Sequence, residues 1–149
     1  MGYVEENLMS GEQIVARASL HWIGFLGPAS LAFLGLTLLP GKDTDAGIGA
    51  FIFAAIWGSA AFMTSRTSEF AVTNKRVLMK VGWIRRTSLE VLLTKVEGIQ
   101  VHQGMLGRLL GYGSIVVSGT GGSKDPFHRI ADPLGFRKKV QEQIEAKQA

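Results

Sequence analysis

Two apolar runs, Leu20–Leu39 (LHWIGFLGPASLAFLGLTLL) and Ala46–Met63 (AGIGAFIFAAIWGSAAFM), contain no Lys, Arg, Asp or Glu. At about 1.5 Å per helical residue, roughly 20 apolar residues cross a hydrocarbon core of about 30 Å. Both runs meet that length, the second at its lower end. The chain therefore predicts a transmembrane hairpin: helix 1 over 20–39, a short extracytoplasmic loop over 40–45, and helix 2 over 46–63. The competing reading is a buried helical hairpin in a water-soluble fold. It would leave two uncharged helices with little other chain to cover them.

Charge sets the expected topology. Residues 1–65 carry Arg17 and Lys42 against Glu5, Glu6, Glu12, Asp43 and Asp45, whereas residues 66–149 carry 14 basic and 7 acidic residues. Arg17 precedes the first run, and Arg66, Lys75, Arg76 and Lys80 follow the second, so both termini are expected in the cytoplasm. The acidic residues before the first run are unlike the basic start of a signal peptide, and the run is too long for a signal core, so it is expected to persist as a span. A basic domain held at a membrane is drawn to anionic phospholipid headgroups. Nucleic acid is not an expected partner, because no motif interleaves aromatic with basic residues. There is no cysteine, which excludes disulfides, thiolate catalysis and Cys-type metal sites.

After Met63 the periodicity changes. Glu69–Thr73, Arg76–Val81, Ile84–Leu92, Val96–Gln103, Gly113–Ser118 and Pro126–Ala131 read as strands separated by turn residues. Thr73-Asn74-Lys75 predicts a tight hairpin, since Asn tolerates positive φ. Asp132-Pro133 pairs a favoured N-cap with a favoured first helical residue, and Phe136, Val140 and Ile144 recur at spacing four on the helix that follows. A seventh strand is available in Gln13–Leu20, where Ile14, Ala16 and Ala18 alternate with Val15, Arg17 and Ser19. On this reading 1–19 is an N-terminal tail plus first strand, 64–149 is the cytoplasmic domain, and the hairpin is inserted between strands one and two. Deleting residues 10–19 should then unfold the domain.

Three ordered motifs carry a resemblance. They are Glu69-Phe-Ala-Val-Thr-Asn-Lys-Arg-Val-Leu-Met-Lys80, Leu106-Gly-Arg-Leu-Leu-Gly-Tyr-Gly113, and Ile130-Ala-Asp-Pro133 with Phe136. With the lead-in from Gly11-Glu12 through Arg17 to His21-Trp22, the chain resembles the bacterial PH-like membrane proteins of the YdbS type over nearly its whole length. The resemblance implies an α+β membrane protein. Its two-helix transmembrane hairpin would join a PH-like seven-stranded β-sandwich capped by a C-terminal α-helix, in the bacterial inner membrane. It does not carry over phosphoinositide binding. The basic loop that eukaryotic lipid-binding PH domains use between their first two strands would be replaced here by the hairpin.

Catalytic chemistry is not legible. His21, His102 and His128 have no metal-ligand spacing, and no Ser/His/Asp set or nucleophile elbow appears. Gly119-Thr-Gly-Gly-Ser-Lys124 departs from the P-loop spacing and no helix follows it, so it reads as a loop. Glu90 and Glu97 read as solvated strand residues. No enzyme activity, metal or cofactor is expected.

A meander leaving the membrane at Arg66 puts alternate turns near the bilayer. The near loops are Gly82–Arg86 and Gly104–Gly111, both mixing apolar residues with arginine, while the far turns at Asn74 and Thr94-Lys95 are polar. Trp83, Arg85, Arg86, Met105, Leu106, Arg108 and Leu109 are therefore expected to touch lipid headgroups, the spans or a partner. Two alternatives stand beside this: Leu106, Leu109 and Leu110 in a short helix plugging the sandwich, and Trp83 in a subunit contact. Ala50, Ala54 and Gly58 repeat every four residues on the second span, a small-residue face that permits close helix packing. The expected function is a non-enzymatic interaction or scaffold module at the inner membrane, homo-oligomeric or bound to other membrane proteins. The alternatives are binding of anionic lipid or a small amphipathic ligand, and an accessory subunit of a transporter or enzyme.

Overall fold

The computed structural model describes residues 2–84, 86–121 and 126–148. The chain divides into two compact units, one made of residues 1–21 and 67–149 and the other of 22–66.

In the first unit, seven strands form two antiparallel sheets among the described residues. Strand β1 (Ile14–Ala18) pairs with β2 (Glu69–Thr73) in a register that sets Ala18 opposite Phe70. Strands β3 (Arg76–Val81) and β4 (Thr87–Leu92) extend this sheet in the order β1-β2-β3-β4. A 3₁₀ turn at Leu93–Lys95 leads into the second sheet, built from β5 (Val96–His102), β6 (Tyr112–Gly119) and β7 (Pro126–Ala131) in that order. An isolated bridge from Leu20 to Ile130 ties the continuation of β1 to β7. The strand pairing in sequence with β2 is thus β1, and the second unit leaves the chain between them.

Phe70, Val72, Val77, Met79, Leu89, Ile115, Val117, Phe127 and Ile130 fill the space between the sheets. Phe70 meets Phe127 edge-on, with ring centroids 6.1 Å apart. Helix α5 (Pro133–Gln148) closes the sandwich with the stripe its spacing predicts: Phe136 and Val140 are buried and Ile144 packs partly beside them. Asp132 caps it, accepting the Gly135 N–H at 3.1 Å.

The outer face of the first sheet is covered as well. Helix α1 (Tyr3–Glu6) lies at the start of a segment that lowers Val4 and Leu8 onto Ala71, Leu78 and Ile14. This is why β2 and β3 read as nearly continuous apolar runs rather than alternating ones: Phe70 and Val72 face one core, Ala71 the other. Arg76 was grouped by sequence with the cations beside the spans. It is instead buried, with Nε 3.0 Å from Glu12 Oε1 and Nη1 2.7 Å from Glu90 Oε2.

The second unit contains helices α2 (Leu26–Leu38), preceded by a 3₁₀ turn at Trp22–Phe25, and α3 (Thr44–Thr67). Helix α3 has a mean hydropathy of 1.8 and is the one helix among the described residues long and apolar enough to cross a membrane. The first apolar helix, Trp22–Leu38, is shorter than the 20–39 expected, about 25 Å. The difference has a physical cause at its start. Leu20 is held in the Ile130 bridge and the His21 N–H donates to the Arg129 carbonyl at 2.7 Å, so β pairing stops the helix from beginning earlier.

Within this unit the helices touch through small residues. A Cβ placed on Gly35 would lie 2.9 Å from the Gly47 carbonyl oxygen, and one on Gly58 would lie 3.6 Å from Pro28 Cβ. Ala54 is buried, Ala50 lies beside Gly35, and Trp57 packs over Gly27. Ala50, Ala54 and Gly58 thus share the contact face, together with Gly47, three residues before Ala50. Phe33, Leu34, Leu36, Ile52, Phe53 and Ile56 point outward.

Candidate functional site

The two points where the chain passes between units lie side by side in the β-domain, because Ala18 and Phe70 are register partners. Two loops gather around them. The β3–β4 turn is tied in by the Gly82 N–H, which reaches Ser68 Oγ at 3.4 Å. On the other side the Ala131 N–H donates to the Ser19 carbonyl at 2.9 Å, and the Asp132 N–H donates to the Gly111 carbonyl at 2.9 Å. This draws in helix α4 (Met105–Leu110), which ends at Gly111. The Tyr112 ring lies 5.3 Å from the ring of His21.

Helix α4 faces the opposite way to an ordinary surface helix. Its glycine is inside and its leucines are outside. A Cβ on Gly107 would come within 2.5 Å of the Tyr112 carbonyl oxygen, so only glycine permits this close approach. Gln103 Nε2 also donates to that oxygen at 3.1 Å, fixing the loop. Gly111 ends the helix at φ 78°, its N–H returning to the Gly107 carbonyl at 2.8 Å. The consequence is that Met105 is 91% exposed, Leu109 81% and Leu106 64%. The plug reading is therefore corrected: the short helix exists, but Leu106, Leu109 and Leu110 do not enter the sandwich.

Ile84 in the β3–β4 turn is 88% exposed, and Trp83 and Leu134 are about half exposed. Arg86 and Arg108 are exposed beside these residues, outside the four ion pairs found among the described residues. Arg85 lies outside the described residues, as do residues 122–125 of the glycine-rich loop. Exposed apolar groups in this number make this surface a candidate interaction site. Ile84 and Leu134 were not singled out by sequence. For Leu134 the signal was present, since it stands off the Phe136–Val140–Ile144 stripe at the helix start.

A second concentrated set of contacts lies on the outer face of the first sheet. Glu12 receives Arg76 Nε and Nη2, the Thr73 hydroxyl at 2.7 Å and the Met9 N–H at 2.7 Å. Burial alone would raise the Glu12 carboxyl, but these donors, Arg76 foremost, outweigh it and hold the group below the usual carboxylate value. Arg76 also donates to the Asn7 carbonyl, and the Tyr3 hydroxyl donates to Glu90 at 2.8 Å. The Glu69 carboxylate accepts the N–H groups of Tyr3 and Val4, both at 3.0 Å. These contacts clamp the N-terminal segment; every group in them is satisfied, which is the pattern of a structural lock.

Elsewhere, Ser114 Oγ and His128 Nδ1 are 2.8 Å apart on an exposed surface, and among the described residues no group of three His, Cys, Asp or Glu side chains is placed to hold a metal.

A family model described as "Bacterial PH domain" matches residues 23–144. The chain belongs to the bacterial PH domain family. The match begins in the first apolar helix and ends in α5, so it spans the second unit and most of the β-domain. The two-sheet, seven-strand sandwich with its C-terminal helix agrees with that family, and PH domains are generally non-catalytic interaction modules. Neither a search of the curated proteins nor one of the solved structures returns a match. In this bacterial PH domain the exposed groups around α4 are thus the natural candidates for an interaction surface.

Proposed function

We propose that this is a membrane-anchored bacterial PH-like protein of the YdbS type, acting as a non-enzymatic interaction and scaffold module at the inner membrane. Residues 22–66 form the two-helix hairpin and both termini are cytoplasmic. The observation carrying this reading is the exterior of that unit. Only 11% of the most apolar window of α3 is buried, whereas the core helix of a soluble protein of the same composition is mostly buried. At about 36 Å, α3 spans a bilayer with some tilt, and Trp22–Leu38 fits with local thinning of the bilayer. The protein assembles as a homo-oligomer through its surfaces.

A second reading is favoured by Arg86 and Arg108 beside exposed apolar groups: the same domain binds anionic lipid or a small amphipathic ligand directly. Alkaline-carbonate extraction of membranes carrying the full chain tests the anchor. The protein is expected to remain with the lipid; its release into the soluble fraction would refute the hairpin. Mass measured in mild detergent should be a multiple of the 16.1 kDa chain, and a monomer would refute the oligomer.

A further inference from the structure

Resting on the anchored reading, we infer that helix α4, with Leu134 and the β3–β4 turn, is seated in the headgroup boundary of the bilayer, with Arg86 and Arg108 on anionic phospholipid phosphates. Distance within the chain carries this. Tyr112 directly follows α4 and Gly111, and its ring lies 5.3 Å from that of His21. His21 is followed by Trp22, the first residue of the apolar helix, and one residue advances the chain by about 3.8 Å. The headgroup layer is roughly 5–8 Å deep on each side of the hydrocarbon core. If Trp22–Leu38 enters the membrane, the chain keeps Tyr112, two residues beyond the end of α4, within about 10 Å of the point of entry.

The chemistry of the surface selects lipid over a second copy of the chain. Met105, Leu106, Leu109 and Ile84 are among the most exposed apolar side chains of the β-domain. Among the described residues, the charged side chains next to them in sequence are Arg86 and Arg108. The acid nearest in sequence to Leu134, Asp132, is engaged in capping α5. Two such surfaces facing each other would oppose arginine with arginine, whereas an anionic leaflet complements both the cations and the apolar tips.

The chain lacks cysteine, so single-cysteine variants label cleanly. Full-length Leu109→Cys, Phe53→Cys and Thr94→Cys carry an environment-sensitive fluorophore in nanodiscs of phosphatidylcholine, with or without phosphatidylglycerol. A lipid-borne nitroxide should quench Leu109→Cys by about half, more with phosphatidylglycerol, and that increment should vanish in Arg86→Gln/Arg108→Gln. Thr94→Cys should be quenched only by aqueous iodide. A Leu109 label reached by iodide alone, or cross-linked between copies, overturns the inference while lipid quenching at Phe53→Cys leaves the anchor standing. A Phe53 label that lipid does not quench overturns both.

Discussion

Glu12 and Arg76, 64 residues apart in sequence, form an ion pair of 3.0 Å in which the Glu12 side chain is fully buried and the Arg76 side chain is 7% exposed. The pair holds the N-terminal segment against the first sheet, over Ala71 and Leu78. Removing one partner leaves the other charged in a low-dielectric site. Glu12→Ala or Arg76→Ala should each cost about 3–5 kcal/mol. Denaturant unfolding in detergent measures this, and the double variant should cost less than the sum of the two. Additive losses would show that the two residues act independently.

The same pair gives a pH dependence with a defined sign. The folded Glu12 carboxyl titrates below its ordinary value of 4.5, so it binds its proton less readily than in the unfolded chain. Its contribution is present above that ordinary value and is lost as the pH falls through the folded one. Glu5 and Glu142 shift the same way, but both are exposed and add little. Thermal unfolding between neutral and acid pH should show a steep acid loss that Glu12→Gln flattens. An unchanged acid slope in Glu12→Gln would contradict the assignment.

Gly107 controls how α4 presents its leucines. Gly107→Ala brings a Cβ against the Tyr112 carbonyl and must lift the helix, whereas Gly104→Ala meets nothing within 4 Å. Gly111→Ala is strained by its φ of 78° and should cost about 1 kcal/mol. Comparing unfolding midpoints of the three variants should rank Gly107→Ala as the most damaging and Gly104→Ala as near neutral. Equal effects would contradict the inward orientation of Gly107.

The crossing of α2 and α3 predicts a similar contrast. Gly35→Leu and Gly47→Leu place side chains into the facing backbone, at 2.9 Å from each other's carbonyl oxygens even for a bare Cβ. Gly49 has nothing within 4 Å, so Gly49→Leu should be tolerated. Thermal stability in detergent should fall strongly for the first two and remain unchanged for the third. A similar loss in Gly49→Leu would contradict the contact account, since leucine is the better helix former of the two and propensity alone would favour the change.

Much of the β-domain was legible because its signals are local. The alternation in Gln13–Leu20, the Asn74 hairpin and the Asp132-Pro133 cap each depend on a few adjacent residues: the strand forms over Ile14–Ala18, the hairpin forms without the positive φ expected of Asn74, and the cap forms as read. The start of the first apolar helix was not legible, since hydropathy does not register that Leu20 is claimed by Ile130. Arg76 was misjudged for the same reason: its partner Glu12 lies across the fold. Helix α4 lies between these cases. Its composition drew notice, but the outward turn of Leu106 and Leu109 follows from Gly107 meeting Tyr112, a contact that only the folded loop reveals.

Residues 22–66 are proposed to form a membrane hairpin spliced into a β-domain that lies on one side of the bilayer. Single cysteines in the otherwise cysteine-free chain test it directly, read with a membrane-impermeant maleimide on intact cells. Asp43→Cys, between α2 and α3, should label from outside, while Ser10→Cys and Thr94→Cys should label only after permeabilisation. Labelling of Asp43→Cys and Ser10→Cys from the same side would contradict the hairpin.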